Sequence, residues 1–236
     1  MDSLVKNIND ICLIVQARLG STRVQNKMMR KFSDTTLIDL VISKLKTSKV
    51  IPQENIYMSV WDEELKDVAN KHNVNIYHRS EESAKSEGGD LTVLFEWWNK
   101  LPYKYVVLVS ACNPLLKIET IDSFIEKFMS TDGDGCFGVI EKKTYYWNES
   151  NESITDWKGL QTMNTKFIEP TYEAAHCLYA SRMDIIGDGN WMDKNYPPQP
   201  ELFVMDELET FDIDYEWQFE VGKLLYEKVG KTIKSS

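Results

Sequence analysis

The chain has 236 residues, 42% of them hydrophobic, and a formal net charge of −10 from 27 Lys+Arg and 37 Asp+Glu. Length and apolar content suit a single large domain with one core and exclude a disordered, collagen-like or miniature disulfide-stapled chain. The acidic balance argues against a protein that grips nucleic acid by neutralising phosphates, because such a footprint reads as a basic face. Ile11, Cys12, Leu13, Ile14 and Val15 are continuously apolar and largely β-branched, the pattern of a strand buried on both faces of a parallel sheet. A polar, glycine-containing loop follows. Leu37, Leu40, Val41 and Leu45 then fall at helical spacing, with Ser33, Asp34 and Thr35 available as caps. The alternation repeats as a strand over 55–60, a helix over 63–71, a strand over 74–78, a helix over 90–99 and an apolar strand over 105–109. Strands alternating with helices predict a parallel, doubly wound α/β sheet.

Ile121, Phe124, Ile125 and Phe128 form one apolar helical stripe, and residues 136–140 resume the strand series. From about 141 to 172 the periodicity lapses into polar residues mixed with Tyr145, Tyr146, Trp147 and Trp157, the look of an inserted arm. Its aromatics have no evident core partner, so a subunit interface, and hence a homodimer, is expected. A strand over 177–180, a proline-rich turn over 197–200, a strand over 202–205 and a last helix complete the reading, with Trp217, Val221, Leu224 and Leu225 expected on that helix's buried face. No apolar run approaches the length of a membrane span or a signal h-region. Cys12, Cys112, Cys136 and Cys177 are widely spaced and expected as buried reduced thiols, so a soluble, cytoplasmic protein is expected.

Open α/β sheets bind ligands outside the carboxyl ends of their strands, which directs attention to the loop after the first strand. It reads Gln16-Ala17-Arg18-Leu19-Gly20-Ser21-Thr22-Arg23-Val24-Gln25-Asn26-Lys27. Gly20 is expected to let the backbone turn and approach a ligand, Ser21 and Thr22 offer hydroxyls, and Arg18, Arg23 and Lys27 bring three cations together. The combination suits a polyphosphate or is a solvated basic loop; neither the Walker A nor the dinucleotide pattern is present. Near the other end, Asp212 and Asp214 share one side of an extended segment. Two carboxylates in one space need a cation, and Mg²⁺ suits all-oxygen ligands; the alternative is an acidic cap on the last helix.

The run Gln-Ala-Arg-Leu-Gly-Ser-Thr-Arg-x-x-x-Lys, directly after a buried first strand, resembles the nucleotide-binding signature of the cytidylyltransferases that activate acidic sugars. These are the acylneuraminate and 3-deoxy-manno-octulosonate CMP-sugar synthetases; spore-coat polysaccharide nucleotidyltransferase-like relatives share it. His78-Arg79-Ser80-Glu81-Glu82-Ser83-Ala84 resembles the family's Arg-Pro-x-x-Leu-Ala segment without its proline and leucine. Ser110-Ala111-Cys112-Asn113-Pro114-Leu115-Leu116 resembles its Ser-Pro-Leu loop, with Ser110 where a glutamine is common, and Asp212-Ile213-Asp214 matches its Asp-x-Asp.

The likeness spans residues 11–225 and implies one Rossmann-like nucleotidyltransferase domain over 1–236, its mostly parallel sheet flanked by helices, with a dimerisation arm inserted at about 141–172. It further implies transfer of CMP from CTP to an acidic keto-sugar with release of pyrophosphate. Ala17, Arg18, Gly20, Ser21, Arg23 and Lys27 would hold the nucleotide, with Arg79 at the base and Ser110 and Asn113 nearby. Arg18, Lys27 and Asp214 would be catalytic, and Asp212 and Asp214 would bind Mg²⁺. His176 stands where sialic-acid enzymes often carry Asn-Gly-Ala-Ile-Tyr; it is expected to touch an acceptor other than sialic acid itself, or to be a hydrogen-bonded core histidine. Lys142, Lys143 and Lys166 are candidates for the acceptor's carboxylate or solvated charges. Two rival readings stay open: a related nucleotidyltransferase with another NTP or acceptor, and a non-catalytic sugar-nucleotide-binding module.

Overall fold

The computed structural model describes residues 6–85, 89–191 and 200–233. Strand β1 (Ile11–Gln16) is followed by a small hairpin, β2 (Lys31–Phe32) and β3 (Thr35–Thr36), and by helix α1 (Leu37–Leu45). Next come β4 (Ile56–Val60), α2 (Glu63–His72), β5 (Asn75–His78), the short helices α3 (Glu81–Lys85) and α4 (Leu91–Leu94), and β6 (Tyr105–Val109). The chain continues through α5 (Ile118–Ser130), β7 (Gly135–Lys142), the long β8 (Thr171–Arg182), α6 (Met183–Gly187), β9 (Glu201–Val204) and α7 (Glu216–Ile233). Seven strands form one sheet in the order β5-β4-β1-β6-β8-β7-β9. All run the same way except β8, which is antiparallel to both its neighbours. It returns from β7 without a crossover helix, and a strand that turns straight back can pair only antiparallel.

β1 shows why an unbroken apolar run is required here. Ile11, Leu13 and Val15 enter one core, beneath α1, α2, α5 and α7, while Cys12 and Ile14 enter the other, and all are fully buried. The second core is aromatic: Phe95, Trp97, Tyr179 and Trp191 pack edge to face, with Phe95 and Trp191 centroids 4.9 Å apart.

Several local expectations are corrected. Residues 33–35 do not cap α1; Ser33, at φ +57, turns the hairpin, and Thr36 is the cap, its hydroxyl accepting the Asp39 N–H. The helix expected over 90–99 breaks into α4 and a 3₁₀ turn at Glu96–Asn99. Phe95 and Trp97 both enter the aromatic core, and an i, i+2 pair cannot share one face of an α-helix.

On α7 the buried face is not the expected one. Phe219 and Gly222 are buried, whereas Trp217 and Leu224 are 61% and 57% exposed and Val221 is exposed. Phe219 and Tyr226 close on Phe32 at 5.4 and 5.7 Å, and that contact selects one of two apolar stripes. Most of the proline-rich turn lies outside the described residues. Cys12, Cys136 and Cys177 are buried and Cys112 is half-buried, all free thiols. No described helix is long and apolar enough to cross a membrane.

The arm grows out of the β7–β8 pair, whose last rung is Lys142 opposite Thr171. Beyond it the chain is irregular, with one bridge between Trp147 and Ser153. Its aromatics partly satisfy one another: Tyr145 stacks on Trp157 at 4.8 Å and its hydroxyl accepts the Asn164 N–H at 2.8 Å.

Candidate active site

The carboxyl ends of β1, β4, β5 and β6 reach one rim of the sheet, and the first half of antiparallel β8 lies on the same rim. Ser110, just past β6, donates its N–H to Cys177 O at 2.9 Å. From β1 the loop over 17–30 folds across the rim towards the segment that precedes α7. Arg23 meets Asp214 at 2.8 Å, Lys27 donates to Ile213 O at 2.5 Å and stands 3.8 Å from Asp214, and Arg30 pairs with Glu216 and Glu220. Segments about 190 residues apart thus form one constellation. The acidic segment is held from behind as well. Ile213 N–H reaches Cys112 O, Asn113 Nδ2 donates to Thr210 O at 3.0 Å, and Lys117 pairs with Glu209 at 2.8 Å. Gln218 Oε1 accepts the N–H groups of Asp214 and Tyr215, the reach-back half of a capping box.

The paired carboxylates differ in setting. Burial pushes the Asp212 carboxyl above its ordinary range, and the charge of Asp214 adds to that, against Lys27 and His176. Asp212 Oδ1 is buried and has no hydrogen-bond partner among the described residues. A buried, orphaned carboxylate oxygen beside a second carboxylate fits a divalent cation, and Mg²⁺ is bound through one or two carboxylates with water and phosphate filling the rest. Among the described residues no cluster of three or more His, Cys, Asp or Glu side chains has metal-ligand geometry.

The phosphate-type loop is partly committed internally. Leu19 N–H donates to Asp62 Oδ2 at 3.0 Å and Ser21 N–H to Leu19 O at 2.8 Å. Gly20 is not needed for the turn: its φ lies outside the left-handed range, and a Cβ there would meet nothing within 4 Å. That open space leaves close approach of a ligand as its role.

Two cavities flank Gln16. The smaller, about 190 Å³, is lined by Gln16, Ala17, Arg18, Arg79 and Leu94. Arg79 is buried there, holding the Ser83 hydroxyl and carbonyl, and burial together with the nearby Arg18 pulls its guanidinium down to about 10. The larger, about 220 Å³, is bounded by Met28, Phe95, Leu108, Ser110, His176 and Tyr179 among others. Gln16 is the divider, its amide fixed by Trp97 Nε1 at 3.0 Å and by Leu94 O at 3.2 Å.

Of the residues singled out in the sequence, Ala17, Arg18 and Arg79 share the smaller cavity, Ser110 and His176 the larger, and Arg23, Lys27 and Asp214 the ion cluster beside Asp212. Asn113 lines neither cavity; it is buried and spends its amide on Thr210. Lys142 is tied to Glu207. Tyr179, Asp62 and Gln218 escaped the sequence reading, and Gln16, the first residue of the quoted loop signature, was given no role there. Gln218 carried a local signal too, as the N3 residue of the last helix.

The cytidylyltransferase family profile matches residues 12–185. The chain is 23% identical to the post-translational flagellin modification protein B of Campylobacter coli over 231 residues, covering 92% of this chain and 95% of that one. It is also 23% identical to the spore coat polysaccharide biosynthesis protein SpsF of Bacillus subtilis, covering 95% and 89% respectively. Its fold is similar to that of CMP:2-keto-3-deoxy-manno-octonic acid synthetase complexed with CTP, at a TM-score of 0.66, 10% identity and coverage of 92% and 98%. With the profile spanning the sheet from β1 to α6, this chain belongs to the cytidylyltransferase family.

Proposed function

We propose that the protein transfers CMP from CTP to an acidic keto-sugar of the nonulosonate or octulosonate type and releases pyrophosphate. The observation that carries the reading is the convergence of Arg23 and Lys27 on Asp214, beside an Asp212 oxygen that lacks a partner among the described residues. Family membership and the likeness to proteins named for flagellin modification and spore-coat polysaccharide synthesis support it.

In this reading the smaller cavity takes the cytosine, with Arg79 and Arg18 on its wall. Arg18, Arg23 and Lys27, the Gly20 N–H and the Ser21 hydroxyl hold the triphosphate and steady the departing pyrophosphate. Asp212 and Asp214 would hold Mg²⁺, which would supply charge neutralisation at the phosphates and Lewis acidity toward the attacking hydroxyl. The larger cavity presents the acceptor hydroxyl in line with the α-phosphorus. Positioning and charge neutralisation carry the rate, and no side-chain general base is required.

One observation favours a second reading. No lysine or arginine lines the larger cavity among the described residues, and Lys142 is committed to Glu207, so a neutral acceptor also fits. Pyrophosphate release with Mg²⁺, each of the four NTPs and a panel of acidic and neutral sugars tests both. The expected result is release with CTP and an acidic keto-sugar, lost in Asp214→Ala. Release with a neutral sugar alone favours the second reading, and CTP binding with no turnover favours a binding module. We also propose a homodimer built through the arm and a cytoplasmic location.

A further inference from the structure

β8 reaches the rim through an irregularity. Its pairing with β7 jumps from Phe137↔Tyr179 to Val139↔Ala174, so five steps along β8 oppose two along β7, and His176 inside the excess takes φ +54. Left-handed backbone at a non-glycine residue persists where the surroundings over-determine it, and bulges of this kind re-aim a side chain. Here the aim is set by Tyr179, whose hydroxyl lies 2.8 Å from His176 Nδ1. Both residues line the larger cavity, His176 exposed to it and Tyr179 buried behind. Tyr179 itself is anchored in the aromatic core, against Phe137 at 5.2 Å and Trp191 at 6.4 Å. Burial raises its phenol to about 12, so the hydroxyl keeps its proton over the working pH range.

A buried phenol needs an acceptor for that proton, and among the described residues the Tyr179 hydroxyl has no other partner than Nδ1. A neutral imidazole that accepts at Nδ1 carries its hydrogen on Nε2. We infer that Tyr179 is a positioning residue that locks His176 in the Nε2–H tautomer, making it a hydrogen-bond donor to an acceptor oxygen, either hydroxyl or carboxylate, in the larger cavity. His176 is thereby removed as a general base, since one ring nitrogen is occupied by the phenol and the other is protonated. The inference rests on the proposed function for the identity of that cavity.

Tyr179→Phe keeps the ring and deletes only the hydroxyl. The expected result is a rise of about fivefold to tenfold in acceptor KM, with kcat and the KM for CTP nearly unchanged, the size of one hydrogen bond. His176→Gln, which carries an N–H donor at a similar reach, should retain more acceptor affinity than His176→Ala. In the His176→Ala background Tyr179→Phe should add nothing, because the two act as a unit. An unchanged acceptor KM in Tyr179→Phe, or losses that add in the double variant, would overturn the inference. ¹⁵N shifts of histidine-labelled protein, assigned with the His176→Gln variant, give an acceptor-independent readout. Wild type should show the Nε2–H tautomer and Tyr179→Phe a mixture; an Nδ1–H wild type overturns the lock. If the wild type turns over no acceptor while the tautomer is as expected, the functional reading fails and the lock stands.

Discussion

Arg23 and Lys27 already neutralise Asp214 within the chain, so the groups assigned to phosphate and to metal are each other's partners. A triphosphate competes with Asp214 for the same cations and is repelled by its charge. Asp214→Asn should therefore tighten CTP binding in EDTA by roughly threefold to tenfold, while turnover with Mg²⁺ falls by on the order of 10²-fold or more. Titration calorimetry without metal decides it: an unchanged affinity would mean the cations do not face the triphosphate. These charged residues were legible in the sequence because three cations in one loop and an Asp-x-Asp are unusual at that spacing. The roles of Gln16 and Tyr179 were not, since each takes its role from a partner brought by the fold: Trp97, 81 residues away, for Gln16, and the bulge of β8 for Tyr179.

Between elements, α1 and α2 are joined by Asp39, whose carboxylate takes hydrogen bonds from Lys71 at 2.8 Å, His72 at 2.7 Å and the Thr36 hydroxyl at 2.9 Å. Burial alone would raise this carboxyl, but the three donors outweigh it and hold it below the ordinary carboxylate range. A group depressed in the folded state contributes stability that is complete above its unfolded value, near pH 4, and is lost as pH falls through the lower folded value. Asp39→Asn should thus cost about 1 kcal/mol at pH 7, with the gap to wild type closing below pH 4, as urea unfolding across that range would show. A constant gap would put the effect in packing rather than charge. The strands and the helices between them were legible at this scale because both faces of the sheet are covered and its strands read as apolar runs. The failures arose where tertiary contact chose between equal local patterns: Phe32 picking the Phe219 stripe of α7 over the Trp217 stripe, and the aromatic core unwinding the predicted 90–99 helix.

At the scale of the molecule, the apolar surfaces left uncovered among the described residues include the arm, where Ile154, Met163 and Phe167 are 66%, 59% and 61% exposed, and the outer stripe of α7 with Trp217 and Leu224. The arm was legible as an insertion because its periodicity lapses, yet its own packing was not, since Tyr145 and Trp157 meet only after the chain doubles back at the Trp147–Ser153 bridge. That internal pairing leaves the Ile154, Met163 and Phe167 side chains outward, on an arm that leaves the sheet at the Lys142–Thr171 rung. A stable pair needs ~800 Å² from each partner, which an arm of this length can supply and a single helical stripe cannot readily match. The expected mass in light scattering is twice the 27.4 kDa of the chain. Ile154→Asp with Phe167→Asp should return it to the single-chain value at unchanged helical content, whereas Trp217→Asp with Leu224→Asp should leave it doubled. The reverse pattern would move the interface to α7, and a single-chain mass for the wild type at every concentration would remove the dimer altogether. Because β8 carries both the arm's return and His176, loss of the pair should also be read in acceptor KM: a rise in the arm variant would mean that the ladder transmits the interface to the bulge.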